Sequence, residues 1–197
     1  YVMRTYGRLP IAFVKGQGCR VWDADGNEYL DFLGGISVLG TGHCHPKVVQ
    51  AIRNQAETLI ACHSSIYTEA RSEFLKKLMM ITPKELHKAF LSNSGAESVE
   101  AAIKIARKFT GKTDIIAFVG AFHGKTMGAL SATWNPRYRT PYEPLLPGFK
   151  HVPYGRIEPV EAGITEKTAA VIVEPIQGEG GIRVPPEGFL KSLRELC

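Results

Sequence analysis

The sequence predicts an α/β protein built on a mostly parallel sheet, and three observations carry that reading. Ile115-Ile116-Ala117-Phe118-Val119 and Ala169-Ala170-Val171-Ile172-Val173 are continuous apolar runs of strand length, as strands covered on both faces require. Val99, Ala102, Ile103, Ala106 and Phe109 recur at helical spacing and fall on one face of a helix. From about Glu69 onward such helices alternate with short apolar runs, the pattern of helices layered on a parallel sheet.

The first third reads differently. Ile11 to Val14, Cys19 to Trp22 and Glu28 to Phe32 are short strand-like runs. Asp23-Ala24-Asp25-Gly26-Asn27 between the last two has the turn chemistry of a hairpin. A glycine-rich passage, Gly34 to Gly42, leads to Gly42-His43-Cys44-His45-Pro46, where Pro46 can open a helix. Val48, Val49, Ile52, Ala56, Leu59 and Ile60 then follow at helical spacing. Phe74, Leu75, Leu78 and Met79 mark a further helix, Lys88-Ala89-Phe90-Leu91 reads as a strand, and Pro186 to Cys197 as a helix. Two segments are expected: residues 1–60, with short strands and a linking helix, and residues 61–197, the α/β layer. The final helix leads to no further strand, so the sheet is expected to be the first part of a larger one.

Composition narrows the function. The 197 residues are 44% hydrophobic and 22% charged, which supports a sizeable core. The net charge of +5 is spread along the chain without a basic run, which argues against nucleic acid and fits mild attraction of anionic small molecules. Cys19, Cys44, Cys62 and Cys197 are scattered with no Cys-x-x-Cys spacing, which speaks against structural zinc and a disulfide framework and for a reducing compartment. No apolar run is long enough to span a bilayer, and no signal-peptide core is evident. The expectation is a cytoplasmic protein that binds neither membrane nor nucleic acid.

Three segments carry chemistry. Ser92-Asn93-Ser94-Gly95-Ala96-Glu97 joins an expected strand to a helix, whose free N–H groups and dipole attract an anion. Ser94 with Glu97 three residues on also reads as a capping box, and the two roles can coexist. Gly120-Ala121-Phe122-His123-Gly124-Lys125-Thr126 puts an aromatic ring and a cation at the carboxyl end of a strand, the edge where open α/β sheets bind ligands. Phe122 can stack on a planar ring or fill the core, and Lys125 can meet a carboxylate or be solvated. Val173-Glu174-Pro175-Ile176-Gln177-Gly178-Glu179-Gly180-Gly181 places two carboxylates after a buried strand, as catalytic groups or as a solvated loop. His43, Cys44 and His45 lack a recognisable fourth ligand, so a hydrogen-bonded loop is expected there rather than a metal.

In this order, these segments resemble the class III (subgroup II) aminotransferases of pyridoxal-phosphate (PLP) fold type I, the acetylornithine/ornithine/4-aminobutyrate group. The resemblance runs from Tyr6 to Cys197 through Trp22-Asp23, Tyr29-Leu30-Asp31-Phe32, Gly42-His43, Asn93-Ser94-Gly95, Phe122-His123-Gly124 and Glu174 to Glu179. Ser131 to Tyr138, Tyr142 to Leu145 and Pro147-Gly148-Phe149 are most similar to acetylornithine aminotransferases, and also to relatives acting on carrier-linked lysine derivatives. Val38 to His43 leans towards 4-aminobutyrate enzymes.

The resemblance implies PLP, with Ser94, Gly95 and Ala96 at its phosphate and Phe122 over its pyridine ring. Glu179 would be the carboxylate that gates α-carboxylate substrates. Ile36 would line an apolar amino-donor pocket, where ornithine enzymes carry a Tyr. Lys125 stands where the family usually has Arg; it keeps the charge but loses the bidentate fork. The implied reaction moves the terminal amino group of N-acetylornithine, or a related N-acyl diamine, to 2-oxoglutarate in arginine or lysine biosynthesis, in a homodimer with its site at the subunit interface. The PLP-anchoring lysine is expected beyond Cys197, so these residues would carry half of a site within the first part of the large domain and a segment of the small one. A different class of function, a short non-catalytic phosphate-binding or interaction module, is the competing expectation.

Overall fold

The computed structural model describes all 197 residues, in two compact units, Tyr1–Ile81 and Thr82–Cys197. The first unit holds an antiparallel sheet of β1 (Phe13–Gln17), β2 (Arg20–Asp23) and β3 (Glu28–Leu30), in that order. Asp23 organises the hairpin. Its Oδ1 accepts the Asp25 and Asn27 backbone N–H groups, and its Oδ2 accepts the Asn27 amide and the Tyr29 hydroxyl at 2.7 Å. Those bonds, the Asn27 side-chain amide first, hold the Asp23 carboxyl below its ordinary value against the opposing effect of burial.

β3 stops at Leu30 rather than Phe32 because Asp31 turns the chain: its Oδ1 accepts the N–H groups of Leu33 and Gly34. Residues Gly34 to Ser37 form a single turn, α1, in which Gly34, Gly35, Ile36 and Ser37 all have positive φ. Left-handed backbone costs a β-branched residue roughly 1–2 kcal/mol, so Ile36 is held there against its own preference. Asp31 Oδ2 meets His43 Nε2 at 2.6 Å, and Gly18 exchanges backbone bonds with His43. His43 is therefore part of a hydrogen-bonded loop, as its sequence context suggested. Helices α2 (Pro46–Thr58) and α3 (Glu69–Met79) complete the unit, with Pro46 at the first helical position of α2.

The second unit is the α/β layer. β4 (Asp114–Phe118) lies between β5 (Phe149–Val152) and β6 (Thr168–Val171), and both pairings are parallel. Around the sheet are α4 (Gly95–Thr110), α5 (Met127–Ala132), α6 (Pro136–Arg139), α7 (Glu158–Glu161) and α8 (Phe189–Leu196). The core joins Ile116, Phe118 and Val152 of the sheet to Val160 and to Phe189 and Leu193 of α8. The rings of Phe118, Tyr154 and Phe189 meet edge to face at 5.7–5.8 Å.

One expected strand is absent. Lys88 to Leu91 pairs with nothing, its backbone groups make no ladder bonds, and Phe90 and Leu91 stay exposed. Its apolar content suits a strand, but a strand exists only where a neighbour completes the ladder. No helix is long and apolar enough to cross a membrane.

Candidate functional site

Parallel strands bring the segments that follow them to one edge of the sheet. The loop after β4 carries Phe122, His123 and Lys125, and the loop after neighbouring β6 carries Glu174, Gln177 and Glu179. Glu174 ties the two together: Oε1 accepts the Phe122 N–H at 2.8 Å and Oε2 the Gly178 N–H at 3.1 Å. Gln177 is fully buried and donates from Nε2 to the Val119 carbonyl at 2.9 Å. Gly120 has φ 85°, and a Cβ there would stand 2.8 Å from Gln177 Oε1, so only glycine fits between the loops.

The start of α4 joins this edge. Ser94 caps the helix, its Oγ accepting the Glu97 N–H at 3.2 Å, while the Glu97 carboxylate accepts the Asn93 N–H at 2.7 Å. The capping reading of Ser94 and Glu97 therefore holds, with the carboxylate reaching one residue further back than the usual box. The bond from the Asn93 N–H, followed by that from its side chain, lowers the Glu97 carboxyl below its ordinary value. The N–H groups of Gly95 and Ala96 take no partner within the chain, and the space beside Gly95 is open to at least 4 Å. Open space, two free donors and a helix N-terminus suit a phosphate.

Glu100, one turn along α4, holds the next helix in place. Its Oε1 accepts the Thr126 hydroxyl at 2.6 Å and the N–H groups of Gly128 at 2.8 Å and Ala129 at 3.2 Å. A Cβ on Gly124, whose φ is 136°, would come within 2.8 Å of the Ala96 Cβ. The phosphate-type cradle and the Phe122 loop are thus in direct contact.

Phe122 is half-buried and meets the Tyr138 ring edge-on, centroids 5.9 Å apart. The Tyr138 hydroxyl donates to Glu179 Oε1 at 2.8 Å. That bond, and then the carboxylate's charge, raises the Tyr138 hydroxyl above its ordinary value, while the charges of Lys125 and Arg137 act in the opposite direction. Lys125 is exposed. His123 donates its backbone N–H to Thr133 Oγ1 at 2.9 Å; burial lowers its imidazole, and the buried Nε2 meets no protein partner.

The structure thus gathers Ser94, Gly95, Ala96, Phe122, Lys125 and Glu179 in the second unit. Ile36 belongs to the first unit, in the left-handed turn, and is 87% exposed. Sequence reading missed the roles of Tyr138 and Glu100. Tyr138 follows Asn135-Pro136, a helix-start signal that places it one turn in; nothing local marks Glu100 as the partner of Gly128. Grooves elsewhere, an apolar one along α2 by Val48, Ile52 and Leu59 and a mixed one between β6 and α8, hold no such cluster.

The parallel sheet, with loops after adjacent strands and a helix N-terminus beside them, aligns with the PLP fold-type I aminotransferases. The chain belongs to the class-III aminotransferase family, whose profile matches residues 1–197. It is 59% identical to the acetylornithine aminotransferase of Methanopyrus kandleri, across all of this chain and 51% of that protein. It is 49% identical to the acetylornithine aminotransferase of Methanocaldococcus jannaschii, across all of this chain and 50% of that one. The chain spans about half the length of the curated relatives it matches. Among solved structures, the ornithine aminotransferase of Toxoplasma gondii, described with partial PLP occupancy at its active site, aligns with a TM-score of 0.89 and 36% identity, over all of this chain and 48% of its own.

Proposed function

We propose that this chain forms part of a PLP-dependent aminotransferase that moves the terminal amino group of N-acetylornithine, or a related N-acyl diamine, to 2-oxoglutarate. The observation that carries the reading is the contact of an unpaired helix N-terminus at Gly95 and Ala96 with a loop presenting Phe122 and, through Tyr138, Glu179. These residues fit PLP. The Gly95 and Ala96 N–H groups bind the phosphate beside the Ser94 cap, and Phe122 covers the pyridine ring. When bound, PLP supplies the conjugated ring that takes up the electron pair released at the reacting carbon.

Lys125 attracts a substrate carboxylate as a point charge, and Glu179 governs which α-carboxylate substrates are admitted. Ile36 is assigned to an apolar donor pocket on the family resemblance. An apolar wall cannot satisfy a free ammonium, whose unpaired burial costs several kcal/mol, so N-acyl donors are favoured. The same resemblance supports residues 1–60 as a small-domain segment and 61–197 as part of the PLP-binding domain, in a cytoplasmic homodimer with its site at the subunit interface.

The test is kcat/KM for N-acetylornithine, ornithine and 4-aminobutyrate with 2-oxoglutarate in the native full-length protein and its Lys125 variants. N-acetylornithine should be the best donor, and Lys125→Ala should cost about 1.5–3 kcal/mol in transition-state stabilisation while Lys125→Arg keeps or raises activity. Ornithine as the best donor would overturn the acyl-donor assignment. An unchanged Lys125→Ala would remove the carboxylate role of that residue.

A further inference from the structure

We infer that Tyr138 is a positioning residue of this site, a phenol tether that fixes the Glu179 carboxylate beside Phe122 and so sets how well a substrate's second carboxylate is accepted. The inference rests on the aminotransferase reading above and assigns a role to a residue outside the phosphate cradle.

Glu179 lies in a run of three glycines, Gly178, Gly180 and Gly181, with Gly181 at φ 106°. Such backbone places little restraint of its own on the side chain. The Glu179 carboxylate is exposed, and it accepts the 2.8 Å bond from the Tyr138 hydroxyl, 41 residues earlier in sequence. Tyr138, by contrast, is well held. Asn135 caps its helix by accepting the Arg137 N–H at 3.0 Å, Pro136 fixes the first turn, and the ring packs edge-on against Phe122. Phe122 is itself pinned through its backbone N–H by Glu174. Rigidity therefore passes from Glu174 to Phe122 to Tyr138 and ends at Glu179.

A tethered carboxylate presents negative charge at one point. Released from the phenol, the same carboxylate sweeps the space around it and repels an arriving anion. The penalty falls hardest on an acceptor with two carboxylates, and it falls on binding more than on chemistry. The charges of Lys125 and Arg137 also act on the Tyr138 hydroxyl, opposite in direction to that of Glu179.

In the native full-length protein, Tyr138→Phe keeps the ring contact with Phe122 and removes only the hydroxyl. It should lower the preference for 2-oxoglutarate over pyruvate by about tenfold, mainly through KM, the loss expected for one charge-assisted hydrogen bond. Added to Glu179→Gln, it should change that preference less than about twofold, because Tyr138 acts through Glu179. An independent readout needs no turnover: with tyrosines labelled at Cζ, the Tyr138 hydroxyl should ionise at lower pH in Glu179→Gln than in the wild type. Unchanged ionisation in that variant overturns the tether. An unchanged acceptor preference in Tyr138→Phe, or full additivity in the double variant, overturns the positioning role even where the ionisation is coupled. Absence of transamination with every donor and acceptor instead overturns the aminotransferase reading, and the specificity role with it, while the ionisation experiment still reports on the tether alone.

Discussion

The carboxylate of Glu174 accepts the backbone N–H of Phe122 at 2.8 Å across 52 residues of sequence, and its second oxygen accepts the Gly178 N–H at 3.1 Å. One side chain thereby joins the loops that follow β4 and β6. The sequence left the two carboxylates of this segment open between catalytic groups and a solvated loop; the partners of Glu174 are backbone donors, and its work is to hold the Phe122 loop in place. Tyr154 reinforces the arrangement by donating to the Glu174 carbonyl at 2.9 Å.

Glu174→Gln should destabilise the fold by about 1 kcal/mol, the cost of leaving the part-buried Phe122 N–H without a good acceptor. Glutamine offers one oxygen for two N–H groups, and its amide would face a donor with a donor. Urea denaturation of the two proteins measures the difference. Equal midpoints and slopes would mean that these two bonds contribute nothing net.

Glu100 predicts a pH dependence. Burial, the largest influence, raises its carboxyl, but the bonds from Thr126, Ala129 and Gly128 together outweigh it and bring the group below its ordinary value of 4.5. A carboxyl depressed in the folded state adds stability above its unfolded value and loses it as pH falls through the folded one. The stability gap between wild type and Glu100→Gln should therefore stay constant well above pH 4.5 and shrink as the pH drops below it. Thermal melts across that range supply the comparison, and a gap that widened in acid would contradict the bonding pattern.

Gly95→Asp should weaken PLP binding at least tenfold with little loss of fold. The site has room for the side chain, since nothing stands within 4 Å of the added Cβ. The new carboxylate would place a negative charge at the helix N-terminus, where it competes with the phosphate for the same donors. Calorimetric titration of the native full-length protein and the variant with PLP, beside a thermal melt of each, separates binding from folding. Unchanged affinity would remove the phosphate role from Gly95.

Much of the chain was legible because the signals are local. Pro46 opens α2 and Ser94 caps α4 with Glu97 in place, each where its own residue type asks. β4 and β6 fall on the two apolar runs, and Asp23 to Asn27 makes the hairpin turn. β5 was missed because Phe149-Lys150-His151-Val152 is short and half polar, an outer strand of the three. Lys88 to Leu91 was the reverse case, strand-like residues with no strand beside them.

The sequence by itself determined the starts of α2 and α4, the buried strands β4 and β6, the hairpin and the family, since caps, turns and periodicity act between residues a few positions apart. The pairing of Glu174 with Phe122, Glu100 with Gly128 and Tyr138 with Glu179, at separations of 52, 28 and 41 residues, was decided only by the tertiary structure. A hydrogen bond between distant residues forms where the sheet order and the helix packing close the intervening loops, and no local pattern records which loop ends meet.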